Sequence, residues 1–254
     1  MRRNLGRVLA PLMLLAMLLV AWELAVRLLD TPAYILPPPS RILRVLIFDF
    51  RVLLPHAMTT LAEIALGILL GGLGGFALGC AIYYSRTLEQ ALRPLIIGSQ
   101  MLPVFAVAPL LIVWLGYGLW PKVVVAALIG FFPVTISTRD GLGSASGDMV
   151  DLFRSLGATR WKIFRKLRLP AAAPSLLSGG KVALTLSVVG ATIGEWIGAR
   201  QGLGYLMLQA NARLQVDTVF AAILLLTLIG LSLFAGFRII EKRLLRWRDS
   251  GSVL

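Results

Sequence analysis

Residues able to do chemistry are sparse in this chain. Its 254 residues hold one histidine, His56, and one cysteine, Cys80. That pair supplies neither a disulfide framework nor a zinc site of ordinary ligand count. The ionisable residues inside apolar stretches include Glu23, Arg27, Glu63, Lys181 and Glu195. Glu23 and Arg27 stand four apart and can pair on one helix face. Lys181 lies near the end of its stretch, where a long side chain can snorkel to water. Glu195 is about 21 Å from Lys181 by helical rise, too far to pair along one helix. No succession of carboxylates marks a proton relay, and no convergent polar groups mark an enzyme. The expectation is of no catalytic residue, no metal ligand set and no cofactor in this chain. Gly179-Gly180-Lys181 has the outline of a phosphate loop, but Ser175 holds the first glycine position and Val182 the Ser/Thr position. That match is rejected.

The elements that carry these residues are set by composition. Hydrophobic residues make up 58% of the chain and charged ones 15%, with a mean hydropathy of +0.85. A soluble domain carries about 25% charged residues, so lipid is the natural solvent for much of this chain. Those totals argue against a soluble enzyme, a DNA-binding domain and a disordered chain. Six apolar runs are long enough to be read as membrane helices: 8–29, 59–83, 95–115, 120–138, 176–197 and 218–237. The expected fold is all-α, a polytopic membrane protein of about six spans forming a single domain over 1–254. With the N-terminus inside, 17 Lys and Arg fall in cytoplasmic segments and 7 outside, Lys181 lying within a span. That asymmetry predicts that both termini are cytoplasmic and explains the net charge of +13 without nucleic acid.

The segment 30–56 then faces outside. It opens with Pro37-Pro38-Pro39-Ser40 and continues as a helix-like run to Phe50. In the second span Gly67, Gly71, Gly75 and Gly79 recur every four residues on one face. Such a stripe lets another backbone approach, within this chain or in a partner. The third span carries Ser99, Gln100, Pro103 and Pro109, and its prolines suit a wall that bends or lines a cavity. Ser99, Gln100, Pro103, Thr185, Ser187 and Thr192 are the candidates for a translocation path.

The longest inner loop, 139–172, has the most distinctive pattern. Asp148 can cap a short helix with Met149, Val150, Phe153 and Leu156 on one face. Gly157 permits a turn. A second amphipathic stretch sets Trp161, Phe164 and Leu167 against Arg160, Lys162, Arg165, Lys166 and Arg168, and Pro170 closes it. This knob fits a helix resting on anionic lipid headgroups as well as one docked in a partner's groove.

Gly157, nine residues, then Leu167-Arg168-Leu169-Pro170 resembles the signature loop of ABC-importer permease subunits, Glu-Ala-Ala, three residues, Gly, nine residues, Ile, one residue, Leu-Pro. Asp151-Leu152-Phe153 stand in place of Glu-Ala-Ala, and Leu167 in place of Ile. Leu36-Pro37-Pro38-Pro39-Ser40, Ala108-Pro109, Trp114-Leu115-Gly116 and Gly194-Glu195-Trp196-Ile197-Gly198 are similar to the branch that serves sulfonates, taurine, nitrate, thiamine-pyrimidine precursors and riboflavin. So is Gly202-Leu203-Gly204-Tyr205-Leu206, and the stretches 116–122 and 207–211 look most like the pyrimidine-precursor or riboflavin members.

The resemblance implies a permease in a prokaryotic inner membrane, commonly two identical chains. Cytoplasmic ABC ATPase subunits would hold ATP-Mg, and an external substrate-binding protein would deliver the solute. It implies that Asp151, Phe153, Arg154, Ser155, Leu156, Gly157, Ala158, Thr159, Leu169 and Pro170 couple this chain to the ATPase. An ATPase-independent secondary transporter or channel is the alternative, and it has no need of the loop knob.

Overall fold

A computed structural model describes residues 2–101 and 103–246. Eleven α-helices follow in order among them: α1 (Arg2–Leu28), α2 (Pro39–Phe48), α3 (Phe50–Tyr84), α4 (Arg86–Gln100), α5 (Val104–Leu115), α6 (Leu119–Gly143), α7 (Gly147–Ser155), α8 (Arg160–Ile163), α9 (Leu169–Gly198), α10 (Leu203–Ala212) and α11 (Val216–Leu244). No strand occurs among the described residues. Four stretches there are long and apolar enough to cross a membrane: Phe50–Tyr84, Leu119–Gly143, Arg160–Gly198 and Val216–Leu244. The 27-residue α1 covers the first expected span.

Two departures from the expected spans have a clear cause. The run 95–115 is not one helix but two, α4 ending at Gln100 and α5 starting at Val104. Pro103 has no N–H to give to a helical ladder, and its fixed φ suits the start of a helix instead. The Met101 N–H turns back to the Gly98 carbonyl at 3.1 Å, and Pro103 becomes the N-cap of α5. The second departure lies at Pro170, which does not close the amphipathic stretch. The chain stays helical from Arg160 to Gly198, through a π-turn at Phe164–Arg168. A proline clashes with the carbonyl four residues back, and the wider π-turn ahead of Pro170 relieves that clash.

Helices α3, α6 and α9 form the core of the bundle, α6 lying between the other two. The glycine stripe makes the first of these interfaces. Gly67, Gly71, Gly75 and Gly79 are all buried. A Cβ at Gly71 would lie 2.5 Å from the Ala127 carbonyl oxygen, and one at Gly75 would lie 2.6 Å from that of Phe131. The backbones are therefore too close for any side chain there, as small-residue packing in lipid requires. Gly72, one residue off the stripe, would place a Cβ in open space. On the second interface Gly130, Gly141, Gly179, Gly190 and Gly194 play the same part between α6 and α9.

Around this core the surface is apolar where lipid belongs. Met13, Leu14 and Met17 on α1, and Leu228 and Leu231 on α11, are about half or more exposed. Ion pairs tie the outer helices on. Glu23 holds Arg27 at 2.6 Å and also accepts from the Ser40 backbone N–H and hydroxyl, at 3.0 and 2.8 Å. It thereby fastens α1 to the first turn of α2 and satisfies an N–H that the helix cannot. Arg41 reaches Asp217 at the start of α11 at 2.8 Å, and Lys181 on α9 reaches Glu241 on α11 at 2.8 Å.

Candidate functional site

Three places collect the residues that the sequence singled out. The first is the loop from α6 to α9. Helix α7 starts after Ser146, not Asp148; Asp148 sits in its first turn, where an acid favours the positive helix end. Its far end closes in a Schellman arrangement: Ala158 N–H donates to the Phe153 carbonyl and Gly157 N–H to that of Arg154, both at 2.9 Å. The arrangement needs a left-handed residue past the cap, and Gly157 has φ +74°. Thr159 then caps α8, its hydroxyl oxygen accepting from the Lys162 N–H at 3.3 Å. Two short helices therefore meet at a fixed angle, set by Gly157 and Thr159.

The loop has two chemically distinct sides. Val150 on α7 and Ile163 on α8 are buried and hold it to the bundle. At its tip Leu152 is 51% exposed and Leu156 76% exposed. Asp151 and Arg154 pair on the surface at 3.0 Å, and the Ser155 hydroxyl donates back to the Leu152 carbonyl at 2.9 Å. Leu169 and Pro170 lie away from this tip, at the start of α9. The expected residues 151–159 form one continuous projection, with Leu169 and Pro170 at its root.

The second place is a buried polar junction at the opposite end of the bundle. Helix α10 begins with N–H groups that no residue within it can satisfy. The Glu195 carboxylate accepts from Gly204 and Tyr205 N–H, the latter at 3.3 Å. The Thr60 hydroxyl oxygen accepts from Leu203 N–H at 2.8 Å while lying 2.6 Å from Glu195 Oε1. His56 Nδ1 accepts from Gly202 N–H at 3.1 Å. A Cβ at Gly202 or Gly204 would collide with the Glu195 carboxylate, which accounts for both glycines after it in the sequence. Beside this cap Lys122 pairs with Glu63 at 2.9 Å, their side chains 8% and 0% exposed. The sequence marked Glu63 and Glu195 but not their partners, Lys122 of α6 for Glu63 and Thr60 of α3 for Glu195.

The third place is the expected path. The side chains of Ser99 and Gln100 lie outside the described residues. Pro103 is exposed at the break between α4 and α5. Thr185 is exposed on α9, its hydroxyl donating to the Lys181 carbonyl at 3.1 Å. Thr192 is half-buried and donates to the Val188 carbonyl at 3.0 Å. Ser187 is wholly buried and donates across to the Ala126 carbonyl of α6 at 3.3 Å. Arg139 on α6 bridges to Glu89 on α4, at a cavity of about 240 Å³ that Ile82, Arg93, Thr135 and Asp140 also line. Among the described residues no group of His, Cys, Asp and Glu could hold a metal ion.

With the geometry in place, comparison with known proteins adds independent information. Residues 64–246 match the family described as binding-protein-dependent transport system inner membrane component. The chain is 38% identical over 241 residues to the formylaminopyrimidine transport permease protein ThiX of Halalkalibacterium halodurans, spanning 94% of this chain and 96% of that one. It is 37% identical over 240 residues to the riboflavin transport system permease protein RibX of Chloroflexus aurantiacus, spanning 93% and 89%. Among solved structures, an inward-facing form of the MetNI methionine ABC transporter shares the fold. Its TM-score is 0.66 at 20% identity, over 76% of this chain and 95% of that chain.

Proposed function

Since the chain belongs to the binding-protein-dependent transport system inner membrane components, and is a permease subunit of an ABC importer, we propose that the projection at 151–159 is where a cytoplasmic ATPase drives it. The observation that carries this reading is the exposed apolar tip. Leu152 and Leu156 stand out from a rigid turn, while Val150 and Ile163 of the same loop already bury what the bundle needs. Apolar side chains held outside both lipid and the chain's own core mark a protein-binding surface. Arg154, Ser155, Ala158 and Thr159 frame the tip, Asp151 and Phe153 complete α7, and Leu169-Pro170 root it in α9.

In this reading two copies of the chain enclose the path, both termini are cytoplasmic, and an external binding protein delivers the solute. The cytoplasmic partner binds ATP-Mg, and this chain has no ATPase site of its own. Closure of the two ATPases moves the two projections together, and the rigid link through α8 and the π-turn passes that motion into α9. Thr185, Thr192, Pro103 and the break beside Ser99 and Gln100 line the path, whereas Ser187, spent on packing against α6, does not. Proposed solutes are a thiamine-pyrimidine precursor or riboflavin, supported by the similarity to ThiX and RibX. Sulfonate, taurine or nitrate is the alternative.

The test is the double substitution of Phe153 and Gly157 by Asp in the assembled importer. Loss of transport-linked ATP hydrolysis, with the chain still folded and inserted, is the expected result. Unchanged coupled hydrolysis would refute the assignment.

A further inference from the structure

A pocket of about 530 Å³ opens beneath the coupling projection, on the side away from its apolar tip. Its lining joins three elements: Tyr83 and Tyr84 at the end of α3, Val150 and Arg154 on α7, and Arg160, Ile163 and Arg168 on the helix leading into α9. Three arginines thus line the pocket together with the buried Val150 and Ile163. Among the described residues Asp151 is the one acid paired with any of them, through Arg154, and that pair is mostly exposed. Arg168 lies over the Tyr83 ring, 4.8 Å from its centre. Between 148 and 168 the chain carries six basic and two acidic residues. The site is built for an anion with an apolar neighbour.

We propose that this pocket binds the phosphate headgroup of an anionic membrane lipid. Its position supports a lipid as the source of the phosphate. Tyr83 and Tyr84 are the last residues of a membrane-spanning helix, at the depth where tyrosine gathers at the lipid–water boundary. Tyr84 is 56% exposed, and Trp161, stacked 5.4 Å from Phe164, is 66% exposed. These amphipathic rings flank the pocket where acyl chains would run into the bilayer. The planar forks of Arg154, Arg160 and Arg168 suit the bidentate grip that phosphate oxygens favour. Because Arg154 and Ala158 belong to the coupling projection, a bound headgroup braces that projection against α3. The proposal rests on the inner-face placement of the loop, but the lipid contact itself needs no ATPase.

The experiment uses the full chain, purified in a neutral detergent and stripped of lipid. Dioleoylphosphatidylglycerol, dioleoylphosphatidylcholine and inorganic phosphate are titrated separately, with bound lipid counted by native mass spectrometry. The anionic phosphatidylglycerol should bind saturably at one copy per chain, the zwitterionic phosphatidylcholine not. Replacing Arg160 and Arg168 by Gln should weaken binding about 25-fold, roughly fivefold per basic group at a membrane surface. The R160K/R168K variant should retain more of it, since charge persists without the fork. Replacing Lys242 and Arg243 on α11 by Gln should leave it within about twofold, because neither lines the pocket. Equal binding of both lipids, or equal loss in the two Gln variants, would overturn the site. Full displacement by millimolar inorganic phosphate would overturn the lipid as its source. Coupled ATP hydrolysis is read separately, so failure of lipid binding and failure of the coupling assignment are distinguishable.

Discussion

Replacing Lys122 by Met should destabilise the chain far more than any surface change, for a reason visible in the buried polar junction. The Lys122 amine lies 2.9 Å from Glu63, and the two side chains are 8% and 0% exposed. Removing the amine leaves Glu63 buried without a counter-charge and close to Glu195. Breaking such a pair on one side costs about 3–5 kcal/mol, whereas replacing both members by apolar residues is often neutral or better. At about 1.4 kcal/mol per decade, K122M should shift the folded-to-unfolded ratio by roughly two to four powers of ten. E63L/K122M should return to within about 1 kcal/mol of the parent, because the Thr60 hydroxyl and the Gly204 and Tyr205 N–H groups still hold Glu195 without either residue. Unfolding the purified chain in mixed micelles by graded denaturing detergent, followed by tryptophan fluorescence, measures both variants. Parent-like stability of K122M, or a double variant as unstable as the single one, would refute the charge argument.

Three further substitutions have expected outcomes. Gly71→Ala should cost about 1–3 kcal/mol, since its Cβ would meet the backbone of Ala127, which has no flexible end to yield. Gly72→Ala, whose Cβ meets nothing, should be neutral or stabilising by up to about 1 kcal/mol in the same unfolding assay. Thr60→Val removes the oxygen that accepts from Leu203 N–H and touches Glu195. It should cost about 1–3 kcal/mol and speed amide exchange at 203–205, read by hydrogen–deuterium exchange.

What could be read in the sequence was local and periodic. The glycines at 67, 71, 75 and 79 announce a helix face by their spacing alone, and the fold pairs that face with α6. Glu23 and Arg27 are four apart, and they do pair. The turn at Gly157 was equally legible, because a lone glycine after an amphipathic run has few other uses. Partners brought from distant segments were not legible. Nothing in the spacing of Glu63 and Lys122, or of Thr60 and Leu203, distinguishes them from unpaired residues. Glu195 stood out as an ionisable residue in an apolar run and Gly202 and Gly204 only through resemblance, and the carboxylate capping α10 supplies the physical reason. The prolines were visible but ambiguous. Pro103 interrupts the run 95–115, which hydropathy marks as one span, while Pro170, expected to close the amphipathic stretch, sits inside a helix that runs from Arg160 to Gly198. Which outcome prevails depends on whether the preceding turn can widen, as it does at Phe164–Arg168.

The central claim is that this permease works through an ATPase docked on the projection at 151–159. The most direct measurement purifies the tagged chain from its native membrane in mild detergent, reconstitutes what comes with it, and follows solute uptake with and without ATP. The account predicts a co-purifying ATPase, uptake that requires ATP, and loss of both on Gly157→Asp. A chain that purifies alone and moves solute without ATP would contradict it.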